Sequence, residues 1–276
     1  MKKPFLWAAA ASVAGALFRS WLLLSRTEWG TGFLQRGSGL LAPLLVLALA
    51  AVWLPLSRAL RLQAAELPEG GSLLQGAPAL SAATMLLAAA GLALSAVMAG
   101  RDGFRLARVY SLLAVPAIFG LLALIPSSMG KRARPGAESY LALLPVLWGM
   151  AAMLCAHVAN NTIITVPENA LTVLGMAALL LYLYAEAKLR GLQQAGGYLS
   201  ALLAAALLLT AAIAPQTLLR IWAQGAGRAG LFVSHCPAID VAMTCFVPLL
   251  WTRAGTATRQ LTEHNSPPHR VERMEE

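Results

Sequence analysis

Leu231-Phe-Val-Ser-His-Cys-Pro-Ala-Ile-Asp-Val-Ala-Met-Thr-Cys-Phe-Val-Pro-Leu-Leu-Trp251 is an apolar run of 21 residues with one carboxylate, Asp240, close to its midpoint. A helix of about 20 apolar residues covers the roughly 30 Å of a bilayer's hydrocarbon. An ionisable group at that depth costs roughly 2.5–3.5 kcal/mol on insertion scales, so such groups gather at ion and substrate pathways. The run therefore reads as a membrane span with a candidate functional residue inside it.

Seven further apolar runs precede it, at about 4–24, 39–57, 78–99, 107–126, 140–159, 167–187 and 198–214. Of the 276 residues, 58% are hydrophobic and 12% charged, about half the charge of a soluble domain. The chain reads as an all-α, polytopic integral membrane protein with about eight transmembrane helices. Gln216-Thr-Leu-Leu-Arg-Ile-Trp-Ala-Gln224 reads as a short interfacial helix anchored by Trp222. Gly, Pro and charge mark Ser127–Glu138 as a linker, and the polar residues after Arg253 as a disordered tail. The expected division is a first four-helix membrane unit (1–126), a cytoplasmic linker (127–139), a second unit (140–252) and a cytoplasmic tail (253–276).

The net charge of +9 arises from Lys and Arg between the apolar runs. With eight spans, 13 Lys and Arg fall on the side of the chain termini and seven on the other. The positive-inside rule then puts both termini in the cytoplasm of an integral plasma-membrane protein. Lys131-Arg-Ala-Arg134 reads as an anchor on anionic headgroups, so membrane lipid, and not nucleic acid, is the expected partner. Lys2-Lys3 before the first run resembles a secretion signal, but no small-residue cleavage pattern follows, and the run is read as a retained span.

The two halves share short likenesses. Pro116-Ala-Ile stands in the fourth run and Pro237-Ala-Ile in the eighth, which suggests a four-plus-four parallel repeat. Ala- and Leu-rich helices also match one another by chance. In the repeat, Asp240 would stand where Phe119 stands in the first half.

Cys236, Asp240 and Thr244 are four apart and share a helix face. Pro237, inside the run, is expected to kink it and free the carbonyl of Val233. Arg19 lies at a depth within about 6 Å of Asp240 and is the expected partner, with His235 as the other candidate. His157, Asn160 and Asn161 fall on the same side of the membrane and complete the candidate ion or substrate site. Each has a plainer reading. His157 and Asn161 suit interfacial hydrogen bonds, Glu168 suits a capping box with Thr165, and Asp240 suits a neutral acid bonded to a carbonyl.

Three cysteines, Cys155, Cys236 and Cys245, all fall in runs, and the last two are too far apart along one helix to bridge. The chain holds no Gly-rich phosphate loop, no His-Glu-x-x-His, no Gly-x-Ser-x-Gly and no Cys-x-x-Cys. The expectation is a non-enzyme with no catalytic residues, cofactor or metal. Two functions fit: a small permease-like carrier with Asp240 as its proton or cation site, or a membrane subunit or scaffold whose cytoplasmic face binds a protein partner or anionic lipid.

Overall fold

In a computed structural model of the chain, residues 2–26, 40–64, 74, 77–102, 106–130, 135–160, 167–192, 197–225 and 237–264 are described. Their secondary structure is helical throughout: α1 (Lys2–Ser25), α2 (Leu41–Ala64), α3 (Pro78–Asp102), α4 (Ala107–Ala123), α5 (Ile125–Ser128), α6 (Pro135–Asn160), α7 (Pro167–Leu192), α8 (Tyr198–Leu208), a π-helical segment (Leu209–Ile213), α9 (Ala214–Gly225) and α10 (Pro237–His264). Seven units are long and apolar enough to cross a membrane: α1, α2, α3, α4 with α5, α6, α7, and α8 continued through the π segment into α9. The chain is thus a multi-pass α-helical membrane protein.

Three sequence expectations are corrected. The segment 216–224 is not a separate interfacial helix, because α9 continues α8 through the π segment. Its polar residues had suggested a surface helix, yet Gln216 and Thr217 are buried in the bundle. Pro215 has no N–H and cannot bond the carbonyl of Ala211, and the wider π turn just before it absorbs that defect. Pro237 is the first residue of α10, where a missing N–H costs nothing; residues 231–236, on which the expected kink falls, lie outside the described residues. Residues 254–264 do not leave the fold, since α10 runs on to His264, and the rest of the expected tail lies outside the described residues. Ala254, Ala257 and Leu261 are buried at helical spacing and hold that extension against the bundle. The hydroxyls of Thr256, Thr258 and Thr262 donate to the carbonyls four residues earlier, which satisfies them within the helix. The expected linker also shrinks, because α6 already starts at Pro135.

The helices of the two expected units interleave. α10 packs along α3, α4 along α6, and α2 along α8, while α1 lies on the π segment, α2 and α9. The two Pro-Ala-Ile segments take different places, since Pro116 is interior to α4 and Pro237 opens α10. Phe119 is exposed where Asp240 is buried.

Close approach holds the centre. A Cβ added to Gly91 would stand 2.3 Å from Cys245 Cβ, so α3 and α10 meet backbone to backbone there. A Cβ on Gly15 would stand 2.7 Å from Ala211 Cβ, fixing α1 against the π segment. Trp148 of α6 is fully buried, stacked on Phe246 at 6.0 Å and edge-on to Tyr110 at 5.9 Å.

The Gly91–Cys245 contact also serves as a depth ruler. Gly91 is within one residue of the middle of α3, so Cys245 marks the middle of the bundle. At 1.5 Å per residue, Asp240 lies about 7 Å from the midplane on one side and Arg253 about 12 Å on the other. Phe5 and Leu6 of α1 line one groove with Thr258 and Thr262 of α10, so the start of α1 and the end of α10 lie at the Arg253 end of the bundle.

Candidate functional site

Two polar clusters sit inside the apolar bundle, about 20 Å apart along α10. The first is built on Asp240, in the first turn of α10 and 2% exposed. The Thr172 hydroxyl of α7 donates to its Oδ1 at 2.9 Å, and Gln216 Nε2 of α9 donates to its Oδ2 at 3.1 Å. The helix N-terminus places positive dipole beside the carboxylate. Behind it, the Thr244 hydroxyl stands 2.8 Å from the Asp240 carbonyl and 2.9 Å from the Thr217 hydroxyl. Thr217 in turn lies 3.2 Å from the carbonyl of Ile213, the last residue of the π segment. The carboxylate is therefore joined by side-chain hydrogen bonds to α7 and to α9, the helix that continues the π segment, while it is the main-chain carbonyl of Asp240 that Thr244 and Thr217 link to the end of that segment.

Arg19 is fully buried on α1. It stands one turn beyond Gly15, on the face that packs against the π segment and α9. Asn169, one turn before Thr172 on α7, is buried as well. Among the expected site residues, Asp240 and Thr244 are brought together as their four-residue spacing required. His157 is exposed in the last turn of α6. Asn161 and His235 lie outside the described residues, as do the side chains of Asn160 and Glu168. Cys236 is likewise outside them, whereas Cys155 is buried and Cys245 packs on Gly91. Sequence reasoning missed Thr172, Gln216 and Thr217. The first carries no signal in an isolated threonine, and the other two were hidden by the surface-helix reading.

The second cluster was not expected at all. Glu186 of α7 receives Arg190 Nη2 at 2.7 Å, Arg190 Nε at 3.2 Å and Arg253 Nη2 at 3.3 Å, all on Oε1. Its Oε2 takes the Tyr182 hydroxyl. Arg190 also donates to Ser127, Ser128 and, at 3.2 Å, Glu138. Arg253 donates to Ser128 at 2.9 Å and to the carbonyl of Leu74, and lies 3.7 Å from the Met85 sulfur. Glu186, Arg190 and Arg253 are all buried. The network ties α3, α5, α6, α7 and α10 together at the end of the bundle where α1 begins and α10 ends. The signal was present: Tyr182, Glu186 and Arg190 are spaced four apart on one face of α7. Removing Arg190 and Arg253 from the loop charges leaves 11 against seven, which keeps the direction of the charge bias.

Among the described residues, no three His, Cys, Asp or Glu side chains converge as a metal site. Comparison with known proteins gives no match: no family model fits the chain, and no curated sequence or solved structure is similar to it.

Proposed function

We propose that the chain is a small membrane carrier in which Asp240 takes up a proton or a small monovalent cation. The observation that supports this reading is the joining of a buried carboxylate to a π-interrupted helix. Polar groups that meet irregular helix turns inside a membrane line ion and substrate sites in carriers, and π turns are frequent at functional positions. In this reading α10 is an eighth crossing, both termini are cytoplasmic in the cell membrane, and Asp240 occupies the outer half. Loading Asp240 weakens its hold on Thr172 and Gln216, because a neutralised carboxylate is a poorer acceptor. α9 is then released from α10 and pivots at the π segment. The ion network around Glu186 closes the opposite, cytoplasmic end.

The test is flux. The full chain is reconstituted in sealed vesicles, a potassium diffusion potential is imposed, and internal pH and sodium are followed. The wild-type chain should carry proton or sodium inward, Asp240→Asn should fold and fall to the leak of empty vesicles, and Asp240→Glu should retain part of the flux. Absence of both fluxes in the wild type, or undiminished flux in Asp240→Asn, overturns the proposal.

A second reading, a subunit or scaffold whose cytoplasmic face binds a partner, draws on the extension of α10. His264 lies about 28 Å from the midplane, beyond the hydrocarbon and able to meet another molecule.

A further inference from the structure

Where the start of α6 meets the end of α7, their outward faces frame a groove of about 420 Å³, within the size range of small-molecule sites. Its described lining includes Ser139, Tyr140 and Leu143 of α6 with Tyr184 and Lys188 of α7, over a floor at Gly191. A Cβ on Gly191 would stand 2.6 Å from Ser139 Oγ, so the two helices touch beneath the groove. Its level follows from the ion network, because Glu186 bonds Arg253, about 12 Å from the midplane. Counted along α7 from there, Tyr184 lies about 9 Å out, Lys188 about 15 Å and Gly191 about 20 Å. The groove therefore crosses the edge of the hydrocarbon, about 15 Å out.

α7 sorts its polar residues by face. Tyr182, Glu186 and Arg190 turn into the network, and Glu138 of α6 joins them through Arg190. Both of these acids are thus spent on the inner side. Tyr184 and Lys188 take the outer face, where Tyr184 is 54% and Tyr140 75% exposed. Among the described residues, neither Lys188 nor the hydroxyls of Ser139, Tyr140 and Tyr184 have an ion-pair or hydrogen-bond partner. Residues 131–136 and 193–196, which adjoin the groove in sequence, contain no Asp or Glu. An ammonium and three hydroxyls at the hydrocarbon edge suit a ligand that is rich in acceptors and partly apolar. Leu147 and Leu181, both exposed, continue the same helix faces as an apolar track toward the midplane.

We infer that this groove binds one anionic phospholipid, its phosphate on Lys188 and the tyrosine hydroxyls, and an acyl chain along Leu143, Leu147 and Leu181. The phosphate balances the charge of Lys188, whereas a zwitterionic headgroup would bring a second cation beside it. A second copy of the chain fits less well, since a two-fold contact through this face would set Lys188 against Lys188.

Native mass spectrometry of the full chain, delipidated in a non-ionic detergent, measures the binding. The wild type should take up one phosphatidylglycerol at a several-fold lower concentration than phosphatidylcholine of matched chains. Lys188→Gln should abolish that preference and Lys188→Arg should keep it; the side chain is exposed, so neither change disturbs the packing. Arg58→Gln, which removes an exposed cation of α2, should leave the preference intact. Inorganic phosphate at the same concentrations should not displace the lipid. Equal binding of the two lipids, or a preference that survives Lys188→Gln, overturns the inference. Loss of the preference in Arg58→Gln overturns it as well, since the chain would then be responding to total charge. Displacement by phosphate alone, or a dimer that excludes the lipid, also overturns it.

Discussion

Glu186→Gln removes the one carboxylate shared by two buried guanidiniums, and its cost can be set against that of Arg253→Met. Without the Glu186 charge, Arg190 still has Glu138 at 3.2 Å, on a side chain that is 20% exposed. Among the described residues Arg253 keeps only neutral partners: the Leu74 carbonyl, the Ser128 hydroxyl and the Met85 sulfur. A buried cation stripped of its counter-ion costs about 3–5 kcal/mol. Arg253→Met is milder. It leaves Glu186 paired with Arg190 at 2.7 Å and bonded by Tyr182, loses a long ionic contact at 3.3 Å, and strands the Leu74 carbonyl. Losing those bonds costs about 1–3 kcal/mol. Because the two residues share one network, the double variant should cost about 1–3 kcal/mol less than the sum of the singles. Reversible unfolding in mixed micelles, followed by helix content against the fraction of denaturing detergent, measures all three. An Arg253→Met cost equal to or above that of Glu186→Gln, or a double variant that is simply additive, would refute the network as described.

Gly91→Ala should be strongly destabilising, because the new Cβ meets Cys245 Cβ at 2.3 Å. Cys245→Gly should rescue it and Cys245→Ala should not, since the nearest remaining atom in the glycine variant is Cys245 Cα at 3.8 Å; thermal unfolding of the four proteins decides. Thr172→Val keeps the shape but removes the donor on Asp240 Oδ1, and should cost about 1–3 kcal/mol in the same assay, as expected for a stranded buried acceptor. Leu261→Ala should cost about 2–5 kcal/mol if the α10 extension is packed, whereas Arg259→Ala, on an exposed side chain, should shift stability little. Equal, negligible effects of both would mean that the extension is not part of the fold.

The membrane class was legible because apolar run length answers directly to bilayer thickness, and every expected span has a helix. What escaped was the meaning of polar residues at span ends. Gln216 and Thr217 have the spacing of a surface helix, and nothing local distinguishes a polar stripe facing headgroups from one facing a buried acid. Ala254, Ala257 and Leu261 form a stripe too thin in hydrophobicity to stand out among threonines, and only the neighbouring helices give it value. The pairing of Arg253 with Glu186 depends on how α7 and α10 cross, which neither segment carries by itself. The burial of Asp240 was legible from its depth in an apolar run. Its partners required the fold.

The most direct measurement of the central proposal is infrared difference spectroscopy of the reconstituted chain across a pH change or sodium addition, read at the carboxyl C=O stretch. Loading of Asp240 predicts a band that changes with the ion and is missing from Asp240→Asn, with Thr172→Val shifting its frequency. A difference spectrum without a carboxyl band, or one unchanged in Asp240→Asn, would contradict the account.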